Sequence, residues 1–150
     1  MIVTTKQQQQ LADYLRRVTD FFMARKGRHC LPTITAEKAF RYLAFCHLTG
    51  RLNVRCRPNG AVDCIVICWP DFKERIEAKH AEGMSQFEWG KVRPGDCIFL
   101  AEVVGSRSGV KALYQGLVEA FPNLLRMPVY TYRRGKLVQL TQPAIERFVS

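Results

Sequence analysis

Residues 96–120 read DCIFLAEVVGSRSGVKALYQGLVEA, and the succession of residue types along this stretch decides the fold. Cys97 to Val104 is apolar except for Glu102, the pattern of a strand buried on both faces and central to a sheet. The run stops at Gly105. From Val110 the apolar residues recur as Val110, Leu113, Tyr114, Leu117, Val118 and Phe121, a helical stripe that ends at Pro122. Met127 to Tyr132 then alternates Val129 and Thr131 with Tyr130 and Tyr132, a second strand after a crossover long enough to make it parallel to the first. Residues 96–132 therefore predict a β-α-β unit.

In such units ligands collect beyond the carboxyl ends of the strands, where the first N–H groups of the helix are unpaired and carry partial positive charge. Here that place is Gly105 to Lys111, where Arg107 and Lys111 would add mobile cations to the fixed dipoles and draw a phosphate or pyrophosphate. The same Gly/Ser composition also suits a turn that only makes the corner and caps the helix, and both readings stay open.

Upstream, Leu11, Tyr14, Leu15, Val18, Phe21 and Phe22 form a helical stripe whose other face carries Arg16, Arg17, Arg25 and Lys26. Gly27 to Pro32 breaks this helix. Thr35 offers an N-cap, with Glu37 in the first turn, for a second helix ending before Gly50. Leu52 to Arg57 and Ala61 to Trp69 read as a hairpin around Pro58-Asn59-Gly60. The first strand alternates Leu52, Val54 and Cys56 with Asn53, Arg55 and Arg57. The second is apolar after Asp63 and so more central. A mostly charged segment from Pro70 suggests a surface helix or lid, and residues 89–95 a turn into the central strand. After the parallel strand, Arg133 to Lys136 reads as a turn into Leu137 to Leu140, and Pro143 opens a short terminal helix. The fold class expected is α+β, in one domain spanning 1–150. It comprises an N-terminal helical pair and a mixed, mostly antiparallel sheet with one central β-α-β unit.

The chain has 150 residues, 47% of them hydrophobic, enough for a single core without staples. No run approaches the roughly 20 apolar residues of a membrane span, and no signal-peptide stretch opens the sequence, so a cytoplasmic location is expected. Six cysteines without a Cys-x-x-Cys pair read as reduced thiols, most of them core residues, and no metal site is expected. The formal charge is +10, with eleven Lys/Arg against three Asp/Glu in residues 1–60. That asymmetry suits an acidic protein or a nucleic acid on the N-terminal helices, and equally a solvated face. P-loop, paired-carboxylate and Ser/His/Asp signatures are absent from the sequence.

The order of elements (a helical pair, a hairpin, a long apolar strand, a turn, a helix and a parallel strand) resembles the GCN5-related N-acetyltransferase fold. That family's turn reads Gln/Arg-x-x-Gly-x-Gly/Ala; aligned on Gly109, this chain has Ser106 and Lys111 at the outer positions. The resemblance implies an N-acyltransferase taking acetyl-coenzyme A or another acyl-coenzyme A. Val103 and Val104 would pair the pantetheine arm, and Gly105, Ser106, Arg107, Ser108, Gly109, Val110 and Lys111 would hold the pyrophosphate. It implies catalysis chiefly by placement, with Glu102 as candidate base and Tyr132 as candidate acid. Glu102 also reads as a charge on a less buried side of the sheet, and Tyr132 as a packing aromatic. Two further functions remain beside this one: a non-catalytic structural or partner-binding protein of the same fold, of phage or mobile-element type, and a basic nucleic-acid-binding module.

Overall fold

The computed structural model describes residues 5–25, 35–81, 95–120, 122, 126–133 and 135–141. The elements are α1 (Thr5–Met23), α2 (Ala36–Leu48), β1 (Leu52–Cys56), β2 (Val62–Asp71), α3 (Lys73–Ala81), β3 (Cys97–Gly105), α4 (Arg107–Ala120), β4 (Val129–Arg133) and β5 (Lys136–Leu140). The strands form one five-stranded sheet in the order β1-β2-β3-β4-β5. Three pairs are antiparallel, and only β3 and β4 run parallel, joined through α4. The fold is α+β with the apolar strand β3 in the middle, as residues 96–132 predict. The breaks at 27–32 and 89–94 and the helix expected from Pro143 fall outside the described residues.

Two clusters cover the two faces of the sheet. Ile65, Ile67 and Trp69 of β2 with Cys97 and Phe99 of β3 meet Val18 and Phe22 of α1 and Tyr42, Leu43 and Cys46 of α2. Cys64, Val66, Ile98 and Leu100 meet Val110 of α4, with Leu113 and Tyr114 packed alongside. β2 and β3 thus bury both faces, which is why their sequences lack strict alternation.

The helix ends follow local chemistry. Thr35 caps α2, its hydroxyl accepting from the Lys38 N–H at 3.3 Å. The other end closes as a Schellman motif: Gly50 takes φ +73°, its N–H donates to His47 O, and Arg51 N–H donates to Cys46 O at 2.8 Å. This sharp reversal puts Arg51 under α2, where it is 1% exposed. α4 starts three residues before the first apolar position of its stripe because Ser106 is its cap. The Ser106 hydroxyl accepts from Gly109 N–H at 3.1 Å and its carbonyl from Val110 N–H at 2.9 Å. Arg107 to Lys111 are therefore the first turns of the helix, and the connection itself is Gly105-Ser106.

Two irregularities shape the sheet. Between β1 and β2, Arg55 faces Cys64 while Cys56 faces Val62, so Asp63 is the extra residue of a bulge. The bulge carries the end of β1 off the core, and Cys56, expected to be buried like the other strand cysteines, is exposed. Between β2 and β3, Ile67 faces Glu102 while Cys68 faces Leu100, so Ala101 is the extra residue. Before this bulge the odd positions Cys97 and Phe99 face α1 and α2; beyond it the even positions Glu102 and Val104 share that face.

Candidate functional site: the opening between the parallel strands

β3 and β4 are in register only at Ile98 with Val129 and Phe99 with Tyr130. Ile98 N–H donates to Pro128 O at 2.9 Å, and Leu100 O accepts from the Thr131 hydroxyl at 2.9 Å. The hydroxyl bond stands where the next ladder rung would be, and the β3–β4 ladder does not continue beyond it among the described residues. Ile98 and Leu100 direct their backbone groups toward β4. The bulge at Ala101 resets the alternation, so beyond it Val103 and Gly105 direct theirs that way. The carboxyl half of β3 therefore directs backbone donors and acceptors to the β4 side beyond the last β3–β4 pair.

Glu102 stands at the bulge. It is 2% exposed and faces α1 and α2, so the reading of it as a charge on a less buried side of the sheet is corrected. The cause is the one-residue offset at Ala101, without which position 102 would lie on the α4 face. Its surroundings are polar for a core. The Cys46 thiol is pushed up to about 12 by burial, with Arg51 pulling it down and the Glu102 carboxylate adding to the rise. The Arg51 guanidinium lies over the Trp69 ring at 4.5 Å and 5.1 Å from that of Phe45. Asp71, 1% exposed, accepts from Trp69 Nε1 at 3.0 Å, Arg75 at 2.7 Å and its neighbour Phe72 N–H at 2.8 Å. Sequence reasoning does not single out Arg51, Asp71 or Arg75. An arginine directly after a helix-ending glycine, and an aspartate closing an apolar strand, are the signals that could have found them.

Tyr132 lies on the same sheet face as Glu102, half-buried and edge-on to Phe99 with centroids 6.1 Å apart. Burial, and then the Glu77 carboxylate, raise its pKa, so the phenol holds its proton at neutral pH. Val103 is 38% exposed at the opening, on the face opposite Glu102, and Val104 is buried in the core.

The Gly105 to Lys111 turn is built differently from a free anion cradle. Gly105 takes φ +136°, and a Cβ there would meet Cys64 Cβ at 2.5 Å and Asp63 O at 2.7 Å, so β2 passes directly against it. The Asp63 side chain, 12% exposed, reaches the first turn of α4: a Cβ on Gly109 would lie 2.5 Å from Asp63 Oδ2 and 2.9 Å from Ser106 Oγ. Arg55 at 3.3 Å and Arg57 at 3.6 Å pair with the same carboxylate. Arg107 and Ser108 point to solvent, and Lys111 is half-buried. The turn thus holds a carboxylate of its own chain, supplied by the single charged residue of β2 between Val62 and Trp69.

The basic N-terminal face is dispersed. α1 and α2 together carry five Lys/Arg and three Asp/Glu. Arg16 pairs with Asp13 and Arg41 with Glu37, while Arg25 lies over the Phe21 ring at 3.7 Å. Arg51 is buried and Arg55 and Arg57 belong to the Asp63 cluster; Lys26 falls outside the described residues. His47 is exposed beside Tyr14, and His29 also falls outside the described residues. The five described cysteines are free thiols. Among the described residues, side chains do not gather into a metal-ligand group, and helices do not reach the length and apolarity of a membrane span. The sequence matches no family model, and comparison with curated proteins and with solved structures gives no significant match.

Proposed function

We propose that the protein is an N-acyltransferase of GCN5-related type, moving an acyl group from a pantetheine thioester, such as an acyl-coenzyme A, to an amine. The observation that carries this reading is the parallel pair that holds for two residues and then opens at a bulge, with the backbone of Val103 and Gly105 turned into the gap. A pantetheine arm is a chain of amides, and such an edge offers it the hydrogen bonds of a strand. In this reading the amine nitrogen attacks the thioester carbonyl, the C–N bond forms and the C–S bond breaks. Glu102 takes the proton lost by nitrogen, and Tyr132, protonated at neutral pH, supplies one to the departing thiolate.

The test is an amide-resolved NMR titration of the 17.2 kDa protein with acetyl-coenzyme A and with S-acetylpantetheine. Saturable shifts centred on Val103, Val104 and Gly105 are expected; a folded protein whose spectrum neither compound moves refutes the reading.

One observation favours a second reading, a non-catalytic partner-binding protein of the same architecture. The Asp63 carboxylate lies at the head of α4, where a coenzyme's pyrophosphate would have to come. Under that reading both thioesters leave the spectrum unchanged.

A further inference from the structure

The geometry points to Asp63 as a specificity-determining residue, an internal anion that keeps diphosphates out of the turn, so that the acyl donor is a pantetheine thioester with no diphosphate placed there. The identity of the donor rests on the reading above; the exclusion itself does not. Asp63 is released from the β1–β2 register by its bulge, which turns a strand residue toward the neighbouring helix. Its two oxygens face Arg55 at 3.3 Å and Arg57 at 3.6 Å, and Oδ2 lies against the Cα of Gly109 closely enough that a methyl group there would collide. α4 has no acidic residue in its own first turn, so Asp63 is the carboxylate that meets its positive end.

A diphosphate entering this place would meet a fixed negative charge, arginines already paired, and a Gly109 N–H already bonded to Ser106. Asp63 cancels one of the two arginine charges of the cluster, and at contact distance the attraction so removed is large enough to cost an incoming anion about ten-fold or more in affinity. Gly109, which in a phosphate turn would make room for the ligand, here makes room for Asp63. The cluster has the cationic side chains of an anion site, with the anion built into the chain.

Inorganic pyrophosphate is the probe, titrated calorimetrically into the wild type and Asp63→Asn. Asparagine keeps the shape and removes the charge. The wild type is expected to show no saturable binding up to the highest pyrophosphate concentration used, and Asp63→Asn to gain saturable binding with a Kd about ten-fold or more below that concentration. Pyrophosphate binding to the wild type, or a folded Asp63→Asn that gains none, overturns the inference. A measurement on the wild type alone stands beside it should the variant not fold. Acetyl-coenzyme A and S-acetylpantetheine should bind within a few-fold of each other, because the diphosphate finds no site. A coenzyme A thioester that binds about ten-fold tighter than S-acetylpantetheine and is displaced by pyrophosphate also overturns the inference. If neither thioester binds, the acyltransferase reading fails while the pyrophosphate result still decides the role of Asp63.

Discussion

Replacing Gly105 by alanine isolates the contact on which the turn depends. Its φ of +136° lies where side-chain-bearing residues are rarely found, a strain of about 1–3 kcal/mol. The new methyl would meet Cys64 Cβ at 2.5 Å, Asp63 O at 2.7 Å and Cys64 Cα at 2.7 Å, atoms of a central strand that cannot swing aside. Overpacking of that kind costs a further ~1–3 kcal/mol. Loss of glycine's freedom in the unfolded chain returns about 0.4–1 kcal/mol. The net expectation is a destabilisation of about 1–5.5 kcal/mol, centred near 3. Gly60→Ala supplies the comparison, since Gly60 has φ +86° but a methyl added there would have nothing within 4 Å, and the change should cost only about 1 kcal/mol. Urea unfolding followed by circular dichroism reads both. With a slope of about 2 kcal/mol/M, the midpoint should fall by ~1.5 M for Gly105→Ala, at the centre of that range, and by ~0.5 M for Gly60→Ala. Equal shifts at unchanged slope would refute the close approach of β2 to the turn and the placement of Asp63 that follows from it.

Asp71→Ala removes the carboxylate, 1% exposed, that accepts from Trp69 Nε1 and from Arg75, so a loss of about 1–3 kcal/mol in urea unfolding is expected. Asp71→Asn, which keeps an acceptor, should lose less; equal losses would show that charge, not satisfaction of donors, sets the cost. Among the described thiols, Cys56 is exposed and should react with a disulfide reagent at pH 8 well before the others, in a Cys30→Ser background. Burial pushes Cys46 up to about 12 and Cys64, Cys68 and Cys97 up to about 11. Above pH 9 these thiols keep protons that the unfolded chain has released, so stability should fall by up to ~1.4 kcal/mol per pH unit per thiol until each folded value is passed. Stability unchanged between pH 9 and 10.5 would contradict their burial. Thr35→Ala should cost α2 about 1 kcal/mol, measured as a lowered urea midpoint, and no change would remove Thr35 as its cap.

The architecture is legible in the sequence because its signals are local. An unbroken apolar run at 97–104, a 3.6-residue stripe after 110 and an Asn-Gly turn at 59–60 each report on a few consecutive residues, and each becomes the expected element. The stripe misplaces the start of α4 by three residues because it marks the buried face of a helix, whereas the helix begins at its cap, Ser106. The facing of Glu102 is not legible at all. A strand's periodicity assigns faces only while the register holds, and the extra residue at Ala101 shows itself in how β3 meets β2, not in the composition of β3. The Asp63 cluster is hidden for the same reason. It joins β1, β2 and α4 across 54 residues of sequence, from Arg55 to Gly109, and nothing in GAVDCIV announces that its aspartate will turn toward a helix not yet formed.

Both bulges act on the same region, one in the β1–β2 pair and the other in the β2–β3 pair. The one at Ala101 resets the alternation so that the backbone groups of Val103 and Gly105 are directed to the β4 side beyond the last β3–β4 pair, and the one at Asp63 carries a carboxylate to the helix that leaves the end of β3. Gly105 is where the two effects meet, because it ends the freed edge and lies against the backbone of Asp63 and Cys64. Along the edge from Val103 toward α4, hydrogen-bonding backbone comes first and a carboxylate already paired with Arg55 and Arg57 comes last. An amide chain suits the first half of that path, and an anionic tail does not suit the second. Under the proposed function, this order along one strand is why a thioester without a diphosphate and a diphosphate without a thioester have to be titrated separately.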